Sequence, residues 1–254
     1  MNPIGVVICN YNKKDFVLQC VQSVLESKEK NFDIYVVDNA SSDGSAEALK
    51  KAYGNRITVI ENKENLGGSG GFNTGLRIVR DKGYSYFMCL DDDAAVDENA
   101  LSVLYHYMEE HTDTGMAGCR VYHTQMPDYI QQSGLLIDFD NCTAKTIGAD
   151  MPEDGSLPDV IECDTVATCA VMVRADTVKQ KGVGIMPEDN FIYWDDMEWG
   201  YRIKLAGYRV VTLAEAKALH QMGANTKKEN TFINYYMWRN RTNFFMRFTP
   251  EAQM

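Results

Sequence analysis

Three adjacent aspartates, Asp91, Asp92 and Asp93, follow the apolar segment YSYFMCLD (84–91) and are the first candidates for chemistry. Adjacent carboxylates repel one another unless a cation neutralises part of their charge. In an extended segment, Asp91 and Asp93 point to the same side and can bind one divalent ion. An acidic turn that caps the next helix is the alternative. His220, which follows a predicted strand, can add a nitrogen ligand, although a lone histidine is more often structural.

A second acidic cluster lies in YWDDMEWGYR (193–202), where Asp195, Asp196 and Glu198 begin a predicted helix. The helix macrodipole favours anions at this position, but capping needs only one of them. A carboxylate beside a metal site can act as a general base toward a hydroxyl group. Trp194 offers a flat face on which a sugar ring or a nucleobase can stack. A capped helix with core tryptophans is the alternative.

The segment NLGGSGGFNTG (65–75) carries four glycines within five residues at a predicted strand-to-helix junction. Such glycines let backbone amides approach a ligand closely, although a flexible turn explains them equally well. The phosphate-binding pattern GxxxxGK[ST] is absent from the segment. The dinucleotide fingerprint also fails, because the segment follows the third strand and Asn73 replaces the last glycine. The glycines therefore predict close backbone packing or a binding loop.

The elements that must position these residues are predicted from hydrophobic periodicity. Strands are expected at 4–9, 34–38, 56–61 and 84–91, with helices at 14–27, around 46–53, at 72–81 and around 101–108. This alternation predicts an α/β fold with a mostly parallel sheet flanked by helices. Ligands bind at the carboxyl ends of such strands. The loops expected there are CNYN (9–12), VDNASSDG (37–44), ENLGGSGGFN (64–73) and LDDDA (90–94).

The alternation stops near residue 115, and the second half is predicted to be mixed or antiparallel. Strands are expected at 115–122, 134–139, 165–174 and 208–213, and helices at 195–206 and 231–247. We predict a single domain over 1–254. It divides into an alternating α/β part (1–115), a mixed part (116–225) and a C-terminal amphipathic helix (226–254).

Composition narrows the class of protein. The 254 residues are 45% hydrophobic and 24% charged, which is ordinary for a globular protein and excludes a disordered chain, a collagen and a coiled coil. The formal net charge of −11 argues against nucleic-acid binding. Seven cysteines without CxxC spacing indicate neither a zinc knuckle nor a redox motif. The N-terminus is predicted to be a first strand and not a signal peptide, so we expect a reducing, cytoplasmic location.

Five motifs, in order across residues 4–220, resemble the family-two glycosyltransferases of the GT-A fold. They are VVICNYN, VVDNASSDGS, NLGGSGGFN, LDDDA and YWDDMEWGYRIKLAGYR. The third and fifth are especially similar to the galactofuranosyl- and rhamnosyltransferase branch. The resemblance implies inverting transfer of a sugar from a UDP- or dTDP-sugar to an acceptor hydroxyl. It also implies a Mn²⁺ or Mg²⁺ cofactor and a role in cell-surface polysaccharide synthesis.

The resemblance also implies roles for individual residues. Asp91 and Asp93 would form the DXD pair that bridges the metal to the diphosphate, and His220 would be the third ligand. Asp196 would take the acceptor proton, while Asp195 would orient the acceptor. Asp38 would contact the base or ribose, and the glycines would line the donor pocket. The implied donor-binding residues are Asn10, Asn12, Asp38, Asn65, Gly67, Gly68, Gly70, Gly71, Asp92 and Trp194.

Two other functions fit parts of the pattern. A sugar-1-phosphate nucleotidyltransferase needs a glycine-rich basic loop after the first strand, and CNYNKKD lacks the glycines. A non-catalytic nucleotide- or metal-binding domain would have no need of Asp196 and its acidic neighbours.

The chain ends in a basic, aromatic segment, since residues 226–254 hold five Lys or Arg against two Glu. Residues 231–254 can form an amphipathic helix that rests on the inner face of the cell membrane, where a lipid-linked saccharide acceptor would be held. A packing helix, a homo-oligomer contact or a segment completed by further sequence are the other interpretations.

Overall fold

The computed structural model describes residues 3–221 and 231–249 of the chain. Its first half alternates strands and helices, because continuous apolar runs form buried strands and spaced apolar residues bury one helix face. In chain order these elements are β1 (Ile4–Asn10), α1 (Lys14–Glu26), β2 (Phe32–Asp38), α2 (Ser45–Tyr53), β3 (Thr58–Glu61), α3 (Gly67–Lys82), β4 (Tyr86–Asp91), β5 (Ala94–Val96) and α4 (Ala100–Glu110).

The second half holds shorter strands, a long strand and two helices. They are β6 (Thr114–His123), β7 (Met126–Gln132), β8 (Leu135–Asp138), β9 (Thr143–Thr146), β10 (Val160–Glu162), β11 (Ala170–Arg174), α5 (Asp195–Leu205), β12 (Arg209–His220) and α6 (Thr231–Phe248). Parts of the predicted tail, 226–230 and 250–254, lie outside the described residues.

The main sheet has the strand order β10-β12-β6-β11-β4-β1-β2-β3. Neighbours β3, β2, β1 and β4 are parallel, as are β6 and β12, while β11 and β10 run opposite to them. The predicted mostly parallel α/β sheet with a mixed second half is therefore confirmed. In β1, Cys9 lies opposite Asp91 and Asn10 opposite Asp38, so these strands end at one edge of the sheet.

Helices cover both faces of this sheet, because successive side chains of a strand point to opposite sides. Val6 and Ile8 of β1 are buried in a core that includes residues of α1, α2 and α4. Val7, between them, belongs to a second core with residues of α3 and α5. The sheet is thus a central layer, and the polar ends of its strands lead into the loops at its edge.

The strand predicted at 208–213 is longer than expected, because β12 extends to His220. After an irregularity between Leu213 and Lys217, β12 continues beside β6 and also pairs with β5. The sequence AEAKA (214–218) has low β-propensity, so periodicity alone ends the strand too early. The extension carries His220 to a position opposite Ala94, directly after the three aspartates.

The helix predicted to begin near residue 72 begins instead at Gly67, so the glycine-rich segment forms its first turns. Glycine is unfavourable within helices, but here it allows close packing against β1. A Cβ atom on Gly71 would lie 2.3 Å from Cys9 Sγ, and one on Gly75 would lie 2.4 Å from Val7 Cγ1. Tertiary contact therefore overrides the local preference for a turn.

We expect Gly75→Ala to lower the free energy of unfolding by about 1–3 kcal/mol, because the added methyl overlaps the fully buried Val7. Gly68→Ala in the same helix is the matched control, since its Cβ would meet only atoms 3.7 Å or more away. Urea unfolding of both variants measures the difference. Equal stabilities would contradict the close packing of α3 on β1.

Candidate active site

A cleft of about 1070 Å³ lies at the carboxyl edge of the parallel strands. Residues of the β1–α1 loop, the β4–β5 turn and the start of α3 form one side of it. The segment before α5, the end of β12 and part of α6 supply much of the rest. Both acidic clusters noted in the sequence therefore face the same space, although they are far apart along the chain.

Asp91, Asp93 and His220 form a cluster in this cleft, with ligand atoms that all lie within 4.8 Å of one another. His220 Nε2 lies 3.2 Å from Asp93 Oδ1 and 3.7 Å from Asp91 Oδ2. The β5–β12 pairing explains this approach, because it holds the end of β12 against the turn that follows β4.

The donor atoms of this cluster fit a divalent cation. Asp93 Oδ1 is buried without a hydrogen-bond partner of ordinary geometry, so its lone pairs remain available. His220 Nδ1 lies 2.7 Å from Gln131 Oε1, while Gln131 Nε2 donates to the His220 carbonyl oxygen at 3.2 Å. This arrangement places the imidazole proton on Nδ1 and leaves Nε2 free to ligate. Two carboxylates and an imidazole suit Mn²⁺ or Mg²⁺.

The pKa values of the cluster reflect the free-energy cost of burying charged groups close together. Burial raises the pKa of Asp91 to about 6, and the charges of Asp93 and Asp92 add to the shift, while His220 opposes it. Burial by itself would lower the pKa of His220, but the carboxylates of Asp93 and Asp91 raise it above its ordinary value. A bound cation would favour the ionised carboxylates and the neutral imidazole.

Lys13 is a charged residue of the site that the sequence analysis missed. Its Nζ lies 2.7 Å from Asp93 Oδ2 and 3.0 Å from Asp92 Oδ1. Burial would lower the pKa of Lys13, but these two carboxylates raise it above its ordinary value. The backbone N–H of Tyr11 donates to Asp92 Oδ2 at 3.0 Å. Asp92 thus joins the β1–α1 loop to the β4–β5 turn.

The second acidic cluster contains groups with different environments. Asp195 Oδ2 accepts a hydrogen bond of 2.8 Å from Ser69 Oγ, which links the starts of α3 and α5. Asp196 lines the cleft and is partly exposed. Burial within the cleft raises the pKa of Asp196 to about 7, and the charge of Asp195 adds to the shift. A carboxylate with this pKa can accept a proton near neutral pH.

Glu198, in contrast, has a structural environment. It is 1% exposed and forms ion pairs with Arg202 and Arg247. Trp194 is also largely buried, with its ring against Phe244 and Phe245 of α6, yet it still lines the cleft.

Three predicted donor-binding residues connect neighbouring loops and are not among the residues that line the cleft. Asn10 Nδ2 donates to Asp38 Oδ1 at 2.9 Å and to Ser41 Oγ at 3.1 Å. Asn12 Oδ1 accepts a hydrogen bond of 2.7 Å from the Ser42 backbone. These bonds join the β1–α1 loop to the β2–α2 loop, and direct donor contact by these residues stays a prediction.

Asn39 is a further residue that the sequence analysis missed, although it lies within the motif VVDNASSDGS. It is 2% exposed, and its Nδ2 donates to Asn65 Oδ1 at 3.0 Å and to the Gly67 carbonyl oxygen at 2.9 Å. Asn39, Asn65, Gly67 and Gly68 all line the cleft. Gly70 and Gly71 do not line the cleft, and a Cβ atom on them would meet Leu66 and Cys9; direct donor contact by these two glycines stays a prediction.

The mostly parallel α/β sheet, with the Asp91–Asp93–His220 cluster and an acidic pair in one cleft, is that of a glycosyltransferase of the GT-A fold. The chain belongs to glycosyl transferase family 2, whose sequence model matches residues 5–169.

Curated relatives match over part of their length. A teichoic acid poly(glycerol phosphate) polymerase of Staphylococcus epidermidis is 27% identical over 146 residues, which are 56% of this chain and 19% of the relative. The Escherichia coli UDP-Glc:alpha-D-GlcNAc-diphosphoundecaprenol beta-1,3-glucosyltransferase WfaP is 30% identical over 109 residues, covering 43% of this chain and 42% of the relative. The chain thus spans less than half the length of these relatives.

Solved structures show the same fold. A Pyrobaculum calidifontis mannosyltransferase, PcManGT, in complex with GDP-Man and Mn²⁺, matches with a TM-score of 0.65 at 16% identity over 88% of this chain and 58% of the other. GalNAc-T7 with UDP, GalNAc and Mn²⁺ matches with a TM-score of 0.75 at 14% identity over 98% and 48% of the two chains.

We expect Asp93→Ala to weaken Mn²⁺ binding by at least about 10-fold, because it removes a buried ligand oxygen. Asp97→Asn is the control, since Asp97 is an exposed acid after the same turn and the amide keeps an acceptor for the Asn99 backbone. Mn²⁺ titration followed by electron paramagnetic resonance measures the free ion. Equal affinities for Asp93→Ala and the parent chain would contradict the assignment of the metal site.

Proposed function

We propose that this chain transfers a sugar, with inversion, from a UDP- or dTDP-sugar to a hydroxyl group of a saccharide acceptor. The observation that carries the proposal is the meeting of the Asp91–Asp93–His220 cluster with Asp196 in one cleft. The relatives support a role in cell-surface polysaccharide synthesis, since their names describe teichoic acid and lipid-linked saccharide enzymes. Galactofuranose and rhamnose are the sugars that the resemblance favours.

Each side chain at the donor end has a task in this proposal. Asp91, Asp93 and His220 would hold Mn²⁺ or Mg²⁺, which would stabilise the negative charge on the departing diphosphate. Lys13 adds a positive charge beside the same position. Asn39, Asn65, Gly67 and Gly68 line the wall that the nucleotide sugar would contact. Asp38 would contact the base or ribose, and the hydrogen bonds of Asn10 and Asn12 would hold the neighbouring loops in position.

At the acceptor end, Asp196 acts as the general base. The acceptor oxygen forms a bond to the anomeric carbon while the bond from that carbon to the diphosphate oxygen breaks. The hydroxyl proton moves to Asp196, whose pKa of about 7 suits this transfer. Asp195, held by Ser69, would orient the acceptor. Direct displacement inverts the anomeric centre and needs no enzyme nucleophile.

Residues 1–254 would form one catalytic domain. Residues 1–115 would bind the nucleotide sugar, and 116–225 would contribute the acceptor side and Asp196. A nucleotidyltransferase is not favoured, because the β1–α1 loop lacks glycines. A non-catalytic sensor would have no use for a partly exposed carboxylate with a raised pKa beside the metal cluster.

We also propose that α6 rests on the cytoplasmic surface of the cell membrane. Among the described helices, none is long and apolar enough to cross a bilayer. On α6, however, Tyr235, Trp238 and Met246 are 58%, 64% and 73% exposed, and Arg241 lies beside the Trp238 ring. Exposed aromatic and basic side chains of this kind favour the interface of an anionic bilayer.

Flotation with anionic liposomes tests this contact. We expect Trp238→Ala to reduce the bound fraction, because the indole contributes apolar area at the interface. Leu205→Ala on α5 is the control, since Leu205 is 60% exposed but lies off α6. Equal flotation of the parent chain and Trp238→Ala would contradict the proposal.

For the chemical step, we expect Asp196→Asn to lower kcat by about 10²–10⁴-fold, because an amide cannot take the acceptor proton. Binding of UDP with Mn²⁺, measured by calorimetry, should remain unchanged, since the metal ligands are intact. Asp154→Asn on the surface loop is the matched control. A variant at Asp196 with the parent kcat would exclude it as the base.

The pH dependence follows from the same group. The base must be ionised, so kcat should rise with pH, with a midpoint at or below about pH 7 and a plateau above it. The raised pKa of Asp196 sets the upper limit for the midpoint of this rise, and a bound cation would lower that pKa. The residual rate of Asp196→Asn should lack this rise.

A further inference from the structure

We infer that Asn240 of α6 is a positioning residue for the acidic pair Asp195 and Asp196, an inference that rests on the proposed function. Asn240 is 1% exposed, although asparagine is a polar residue. It lies against the segment 190–194, which leads directly into α5 and hence into the acidic pair.

The segment 190–194 has an unusual backbone. Phe191, Tyr193 and Trp194 have φ values of 64°, 64° and 65°, in the left-handed region that residues other than glycine rarely adopt. Such conformations persist only where surrounding contacts hold them, and they occur often at functional sites. The contacts that hold this segment therefore decide where α5 begins.

Asn240 supplies several of those contacts through one amide group. Its Nδ2 lies 2.8 Å from the carbonyl oxygens of Asn190, Ile192 and Tyr193. Its Oδ1 accepts a hydrogen bond of 2.8 Å from Arg239 Nε, which orients the amide so that its N–H groups face the carbonyls. The two N–H groups of one side chain thus serve the backbone acceptors of three residues within four positions, and Arg239 Nη2 also donates to the Asn190 carbonyl oxygen at 2.9 Å.

The same segment connects both sides of the cleft. The Phe191 carbonyl oxygen accepts a hydrogen bond of 3.3 Å from the Ser69 backbone N–H, and Ser69 Oγ donates to Asp195. The Trp194 carbonyl accepts the first hydrogen bond of α5, from Glu198 N at 3.0 Å. Movement of the segment would therefore shift Asp195 and Asp196. The Asp91–Asp93–His220 cluster would stay in place, because it lies at the ends of paired strands of the main sheet and in the turn between β4 and β5.

The test compares two asparagines of α6. Asn240→Asp keeps the side-chain size but places an oxygen against the carbonyls, and Asn240→Ala removes the amide. Asn234→Asp and Asn234→Ala are the matched controls, because Asn234 is an exposed asparagine of the same helix. The measurements are kcat and KM for the donor, UDP–Mn²⁺ affinity by calorimetry, and amide hydrogen exchange by mass spectrometry.

We expect both Asn240 variants to lower kcat by roughly 10- to 100-fold, since small displacements of a reacting group cost about this much. KM for the donor and the UDP–Mn²⁺ affinity should stay within about twofold, because only the base side moves. Amides of residues 192–198 should exchange faster, while those of β1 and β4 keep their protection. The Asn234 variants should match the parent chain in every readout.

Three results would overturn the inference: unchanged kcat in the Asn240 variants, unchanged exchange in residues 192–198, or a parallel loss of nucleotide affinity and exchange protection across the sheet. The last result would mean that Asn240 supports the whole fold and has no specific positioning role. Hydrogen exchange needs no turnover. If the parent chain transfers no sugar, the proposed function fails, while the exchange data still decide whether Asn240 holds the segment.

Discussion

The burial of several carboxylates close to one another is the constraint on which the cleft depends. Asp91, Asp92 and Asp93 share a turn, and Asp195 and Asp196 face the same space. Loss of water around such groups disfavours their ionised forms, as the raised pKa values of Asp91 and Asp196 show. The protein offsets part of this cost with hydrogen-bond donors and cationic side chains. The carboxylate oxygens and the imidazole nitrogen that remain without such partners suit a divalent ion. The surrounding fold therefore positions these metal-binding atoms.

The supports for these carboxylates come from separate parts of the chain. The β1–α1 loop contributes Lys13 and the backbone of Tyr11, and α3 contributes Ser69. The end of β12 contributes His220, which Gln131 of β7 orients. The parallel register of β1, β2 and β4 brings the first supports to one edge, and the antiparallel pairing of β5 with β12 adds the histidine.

Local sequence patterns predict the parts of the fold that depend on local burial. The strands β1, β2 and β4 are continuous apolar runs, so their positions and the acidic turn after β4 follow from the sequence. The start of α3 does not, because its glycines are required by contacts with β1 that periodicity cannot show. The predicted length of β12 is wrong for a similar reason, since pairing with β5 and β6 outweighs the low β-propensity of its second half.

The same distinction applies to the candidate site. Aspartates at a strand end and at a helix start are recognisable because stability alone rarely requires so many. Lys13, Asn39, Gln131 and Asn240 are single polar residues whose partners lie elsewhere in the chain. Their roles depend on tertiary contacts, so the sequence alone shows only that these positions are polar.

The pairing of β5 with β12 has a consequence for how the protein forms. Among the proposed metal ligands, Asp91 ends β4 and Asp93 lies in the turn that follows, whereas His220 ends β12, so half of the chain separates them. During synthesis, the first half would carry Asp91 and Asp93 but not His220, and the complete ligand set would arise only after β12 has docked. The cation would then bind the folded chain in preference to the unfolded one and stabilise it by mass action. Metal capture would therefore be a late event that marks completion of the sheet.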